Sequence, residues 1–324
     1  MDNNMKYAIL KKIKKENIII EFCKEIFKHK LLYIMMAPGL LLLFLFSYLP
    51  MLGTVIAFKE FRFDKGVLGS AWMDPIYKNF LFFFTNESAF RITRNTVLLN
   101  LTFIVIGGVF EVFLAIMFSE AKNRIFRKLA QSISFLPYLV SWIVVGVFTI
   151  NIFSYETGSL NSLINRLGFE SVNWYAEAGL WPVIMFIIFI WKMGGYYAVY
   201  YLATITSIDS TYYEAAEIDG ATRFQQIRFV TIPMIMPAVI TLTMLQVGRI
   251  MNADFGMFYS VVGENAQIYS TVDVIDTFIF RTLRQVGDFG MASAASFFQS
   301  CLAFIIVILS NRIARKYDKN AAMF

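Results

Sequence analysis

Residues 206–233 read TSIDSTYYEAAEIDGATRFQQIRFVTIP, and they place four acids and two arginines within twenty positions of an otherwise apolar chain. Their spacing is that of a docking element. Thr211 followed by Glu214 has capping-box spacing and predicts a helix from about residue 212. Gly220 suits the left-handed residue that ends such a helix. Thr222 followed by Gln225 repeats the capping pattern and predicts a second short helix, after which Pro233 and Pro237 predict a bend. Ala215 and Ala216 keep the surface low enough to sit in another protein's groove. A rigid helix held at both ends can transmit the motion of that groove.

A second set of polar residues lies inside apolar stretches, where ionisable groups mark function by default. Glu111 and Lys192 fall at similar depth, which predicts an ion pair. Arg249 and Asn252, three apart, would share a helix face, with Asp254 off that face and nearer the outside. A small-molecule site needs an apolar, often aromatic, concave setting and a few hydrogen-bonding groups. Trp191, Tyr196, Tyr197, Arg249 and Asn252 could supply them as a substrate pathway, and an Arg249 facing a pore would favour an acidic solute. Tyrosines near a helix end also serve as interfacial anchors. Metal and nucleophile chemistry find no set of residues: His29 sits alone between Lys28 and Lys30, and Cys23 and Cys301 lack ligand spacing. No Gly-x4-Gly-Lys-Ser/Thr phosphate loop is present either.

The elements that must position these residues are membrane spans. Hydrophobic residues make up 58% of the 324 and charged residues 16%, against about 25% charged in soluble domains. Six spans are predicted, at about 31–58, 95–119, 129–155, 178–205, 232–258 and 289–311. In lipid they must be helices, because every backbone group has to be satisfied internally. Runs this long do not alternate as barrel strands do. The fold class is therefore an all-α integral membrane protein with one transmembrane domain over 31–324, behind a basic leader at 1–30 that fits either an interfacial amphipathic helix or a disordered basic tail that only fixes topology. The 31–58 segment is too long for a signal-peptide core and has no cleavage pattern after it. Span 1 is predicted to end near Pro50 and Gly53, and the pairs Gly107–Gly108 and Gly194–Gly195 are read as close-packing sites. Net charge is +6, and eighteen of the Lys and Arg lie on one side of the spans against nine on the other. The positive-inside rule then puts both termini and the 206–233 excursion in the cytoplasm, and the charge reflects topology rather than nucleic-acid binding.

The run Glu214-Ala215-Ala216, three residues, Gly220, nine residues, Val230-Thr231-Ile232-Pro233 resembles the EAA motif of binding-protein-dependent ABC-importer permeases. Val230 and Ile232 are conservative departures, and Asp219-Gly220-Ala221 matches the family's Asp-Gly-Ala. The resemblance covers spans 2–6 and is strongest to sugar permeases of the maltose-transporter type. Residues 248–259, 271–281 (TVDVIDTFIFR) and 287–300 resemble the branch that imports oligosaccharides released from polysaccharides. It implies a plasma-membrane permease subunit of a prokaryote that forms half of a translocation pathway and catalyses no reaction. A second homologous permease, giving a heterodimer, two ATPase subunits and an extracellular solute-binding protein would complete the machine. ATP and Mg would be used by the ATPase alone; this chain would bind no cofactor. The coupling segment between spans 4 and 5 would consist of Glu214, Ala215, Ala216, Asp219, Gly220, Ala221 and Pro233, and the partner permease is a rival ion-pair donor for Glu111 or Lys192. The alternatives are a secondary transporter, which usually shows more spans or a repeat, and an ABC permease for a non-sugar solute.

Overall fold

A computed structural model describes residues 28–317, and the basic leader at 1–30, read as an interfacial helix or a basic tail, falls almost wholly outside the described residues. The chain divides into two units, Met1–Val55 and Ile56–Phe324. Helix α1, Lys30–Phe58, with a mean hydropathy of 2.2, runs through the described end of the first. It does not stop at Pro50. A wide π turn at Phe44–Tyr48, closed by the Leu49 N–H donating to Phe44 O, precedes the proline, and the helix continues through it.

The second unit opens with a minimal antiparallel hairpin, β1 (Lys59–Glu60) against β2 (Ala71–Trp72), a small departure from an all-α fold. Lys59 closes it: its Nζ donates to the carbonyls of Val67 and Leu68 at 2.8 and 3.1 Å and lies 4.9 Å from the centre of the Trp72 ring. The long helices follow. They are α2 (Glu87–Glu120), the bent pair α3 (Arg124–Leu139) and α4 (Trp142–Phe153), then α5 (Ala178–Thr206). Next come the short α6 (Ser210–Ile218), α7 (Arg223–Val247), the short α8 (Phe255–Val262) and α9 (Ile275–Arg281), and finally α10 (Phe289–Tyr317). Among the described residues five helices are long and apolar enough to cross a membrane, and six crossings result if the bent pair counts as one.

Two expected spans are broken. The segment 129–155 is not one helix, because α3 and α4 meet at 97°. Pro137 lies in the 3-10 turn that ends α3, and Ser141, in extended conformation, caps α4 by accepting from the Val144 N–H. The span expected over 232–258 begins earlier, at Arg223, and ends earlier, at Val247. The predicted bend at Pro233 and Pro237 is absent as a break. A second π turn, Ile227–Thr231, precedes Pro233, and α7 continues through both prolines.

The core joins α2, α5 and α8, with Leu99, Phe103, Trp181, Met185, Met257 and Phe258 buried in one cluster. The rings of Phe103 and Phe189 stack at 4.6 Å. Gly195 is required where α5 crosses the end of α3, since a Cβ there would collide with the Ser134 carbonyl. Gly108, by contrast, faces open space, so only Gly107 of that pair is packed.

Candidate functional site

The chain between α7 and α8 is the centre of the site. The α7 helix stops at Val247, and residues 249–252 continue in tight turns, with Arg249 N–H donating to Gln246 O at 2.9 Å and Asn252 N–H to Arg249 O at 2.8 Å. Arg249 and Asn252 are therefore turn residues and do not share a helix face. Irregular backbone is tolerated at membrane depth only where protein or a cavity surrounds it, and side chains from three helices supply that support. Asn100 Nδ2 of α2 donates to Ile250 O at 2.9 Å. Gln299 Nε2 of α10 donates to Met251 O at 2.6 Å. Asp276 Oδ2 of α9 accepts from Ala253 N–H at 2.9 Å and also from Gln299. The sequence pattern does not single out these three residues; the available signal is the amides Asn100 and Gln299 inside apolar spans and Gly248 after a helical run.

Around this turn lies a cavity of about 360 Å³, within the range of small-molecule sites. Tyr197, Arg249 and Asn252 line it together with Asn100, Gln246 and Asp254. The Arg249 guanidinium and the Asn252 amide have no hydrogen-bond partner among the described residues. Asp254, in contrast, is engaged: Oδ1 caps α8 by accepting from Met257 N–H, and Oδ2 accepts from Trp142 Nε1 at 2.8 Å. The cavity thus holds one guanidinium and one carboxylate, and the guanidinium is the charged group whose hydrogen-bonding capacity is unused. Of the five predicted pathway residues, Tyr197, Arg249 and Asn252 come together here and two do not. Trp191 lines a separate, almost wholly apolar cavity of about 420 Å³ between α4 and α5. Tyr196 stacks on Tyr138, with ring centres 4.2 Å apart.

The predicted Glu111–Lys192 ion pair does not form. Lys192 reaches instead into the break between α3 and α4, where its Nζ donates to the carbonyls of Val140, Tyr138 at 2.9 Å and Pro137 at 3.3 Å. The rings of Trp142 and Tyr138 lie 5.0 and 5.7 Å from it. Carbonyls freed by a helix break are a closer and more numerous set of acceptors than one carboxylate on a neighbouring helix. Glu111 is left buried on α2, 1% exposed, with Oε2 unpartnered among the described residues. The two broken spans are joined directly, because Trp142 opens α4 and Asp254 opens α8.

The second feature is the α6 hairpin. Its cap is Asp209 rather than Thr211: the Asp209 carboxylate accepts from Thr211 N–H at 2.9 Å, so the helix starts at Ser210. That bond, with a further one from the Thr211 side chain, holds the Asp209 carboxyl below its ordinary value. Gly220 has φ +79°. Gly220 N–H donates to Glu217 O at 3.0 Å and Ala221 N–H to Ala216 O at 2.9 Å, the paired bonds of a Schellman turn. Thr222 and Gln225 form the expected capping box, which starts α7 itself instead of a separate short helix. Tyr213 ties α6 to α7 through a 3.0 Å bond between its hydroxyl and that of Thr231. Glu214, Ala215, Asp219, Gly220 and Pro233 are exposed, Ala216 and Ala221 half-buried. The hairpin also exposes Tyr212, Ile218 (87% exposed) and Phe224, apolar surface at the head of a charged turn.

Residues 111–319 match the family described as binding-protein-dependent transport system inner membrane component. Over 312 residues the chain is 30% identical to the polygalacturonan/rhamnogalacturonan transport system permease protein YteP of Bacillus subtilis (strain 168), covering 96% of this chain and 95% of that protein. It is 31% identical over 292 residues to protein LplB of the same organism, covering 90% and 91% of the two. Among solved structures it is similar to a chain of a bacterial alginate ABC transporter in complex with alginate pentasaccharide-bound periplasmic protein. The TM-score is 0.82 and the identity 30%, over 91% of this chain and 98% of that one.

Proposed function

Because the chain belongs to the family of binding-protein-dependent transport system inner membrane components, we propose that it is the permease subunit forming half of the pathway of an ABC importer for oligosaccharides, acidic ones in particular. The observation that carries the acidic cargo is the unpaired Arg249 guanidinium in the cavity with Tyr197 and Asn252. Asp254, the one carboxylate beside it, already holds two hydrogen bonds. Polygalacturonan and alginate, named for the relatives, are both polymers of uronic acids, each unit of which presents a carboxylate to such a group.

In this reading α6 is the coupling helix and lies on the cytoplasmic face, as do both termini. Glu214, Ala215, Ala216, Asp219, Gly220 and Ala221 enter a groove of a separate ATPase subunit, and Pro233 sits where the segment runs into α7. The caps at both ends and the Tyr213–Thr231 bond support a rigid body. The exposed Tyr212, Ile218 and Phe224 support a protein partner there. A second homologous permease, two ATPase subunits and an extracellular binding protein complete the importer, in which ATP favours one of two states of the permease pair.

The test is uptake by the whole transporter in proteoliposomes. Arg249→Gln is expected to lower uptake of a galacturonate oligosaccharide about tenfold or more, the equivalent of one charged hydrogen bond. Normal uptake by the charge-reversed Arg249→Glu variant would remove the acidic cargo. Transport without any ATPase would remove the importer.

A further inference from the structure

The turn at 249–254 has a second face. On it lies another cavity, about 420 Å³, between α8, α9 and α10. Asn252 lines both cavities, so the two meet across a single residue. The Asn252 amide, with two donors and an acceptor, has no partner among the described residues and is available to either side. The rest of the second cavity is of a different character from the first. Its apolar lining is Phe255 and Phe280, with ring centres 5.0 Å apart, together with Ile279 and Leu283, and its polar lining includes Asp276, Gln299 and Ser300. No Lys or Arg lines it.

The polar groups there retain capacity. The Asp276 carboxylate accepts one backbone N–H and the Gln299 amide, fewer bonds than its two oxygens can take. Ser300 donates to Ser296 O at 2.9 Å and keeps its own acceptor sites. Aromatic faces together with a few hydrogen-bonding groups suit a sugar ring, whose C–H face is apolar and whose edge carries hydroxyls. The charge pattern selects which sugar. A carboxylate on the ring would meet Asp276 with no cation to offset it, whereas hydroxyl donors would be accepted.

We propose that this second cavity is a subsite for a neutral sugar unit of the same oligosaccharide whose acidic unit faces Arg249, with Asn252 bonding across the junction. The proposal rests on the oligosaccharide-import reading. It makes the chain selective for mixed oligosaccharides over uniformly acidic ones.

The experiment uses the assembled transporter with its partner permease, ATPase subunits and binding protein in nanodiscs. Cys23→Ser and Cys301→Ser clear the background, and Ser300→Cys places a thiol on the cavity wall. A rhamnogalacturonan tetrasaccharide is expected to slow alkylation of that thiol severalfold, and tetragalacturonate to leave it unchanged. ATP hydrolysis stimulated by each sugar is measured on the same sample. Stimulation with unchanged alkylation by both sugars, or a thiol that does not react at all, overturns the subsite while leaving the import reading intact. Equal protection by tetragalacturonate overturns the neutral preference. Absence of stimulation by either sugar overturns the import reading and the subsite with it.

Discussion

Glu111 and Lys192 illustrate how far a charge can be read from its position in a span. Similar depth was visible in the sequence; the acceptors that decide a partner were not. A lysine on α5 finds three carbonyls because α3 ends where it does, and that ending depends on Pro137 and Ser141, fifty residues away in sequence. Lys192→Met would leave the Tyr138 and Val140 carbonyls without their lysine donor, at about 1–3 kcal/mol, while Pro137 O keeps the Val140 N–H. The expected result is a lower thermal midpoint of the purified complex and impaired uptake of every cargo, whereas Arg249→Gln should impair acidic cargo selectively. Glu111 makes the opposite prediction. Its Oε2 has no partner among the described residues, so Glu111→Gln trades a buried carboxylate for a neutral isostere and should leave stability equal or higher. A clear loss of thermal stability in that variant would mean that the Glu111 carboxyl makes a bond that an amide cannot replace.

At the scale of elements, the apolar runs were legible because hydropathy depends on composition, and the starts of α5 and α10 agree with it within a few residues. Helix breaks depend on contacts between elements and were not. Pro50 and Pro233 were read as stops or bends, yet each is preceded by a π turn that accommodates it. The break that does occur in α7 follows Val247, where the stop depends on Asn100, Asp276 and Gln299 from other helices. The α6 hairpin was more legible, since caps are local: Gly220 and the Thr222–Gln225 box both lie as expected, and the start shifts only because Asp209 outcompetes Thr211. Gly220→Lys forces a residue with a Cβ into φ +79°, which costs about 1–2 kcal/mol locally. It also adds charge to a surface proposed to be buried. Co-purification of the ATPase should weaken and sugar-stimulated ATP hydrolysis should be lost, while the fold of the membrane helices persists. The cap carries a pH signature as well. Asp209 is held below its ordinary value when folded, so its contribution is present at neutral pH and is lost as pH falls through that lowered value. Protection from hydrogen exchange over 210–218, taken relative to the intrinsic rate at each pH, should fall in acid, and Asp209→Asn, which retains an acceptor oxygen, should flatten that fall.

For the molecule as a whole, the two features stand at opposite ends of one helix. The hairpin opens directly into α7, and α7 ends at the Arg249 cavity. In the proposed mechanism, movement imposed on α6 reaches the cargo through a single continuous element, with no loop between to absorb it. The Trp142–Asp254 bond then carries the displacement to the bent pair α3 and α4. Trp142→Phe, which keeps the ring but removes the N–H, should leave ATP hydrolysis largely intact and lower transport per ATP consumed. An unchanged ratio of transport to hydrolysis would show that the two breaks move independently.

The turn at 249–254 is held by Asn100, Asp276 and Gln299 through its main-chain atoms alone: the carbonyls of Ile250 and Met251 and the N–H of Ala253. Main-chain atoms are the same whatever amino acid occupies a position. The side chains at 249 and 252 are therefore free to diverge without disturbing the scaffold that presents them, and descendants of one ancestral permease could exchange cargo by changing two codons while the three anchoring residues stayed fixed.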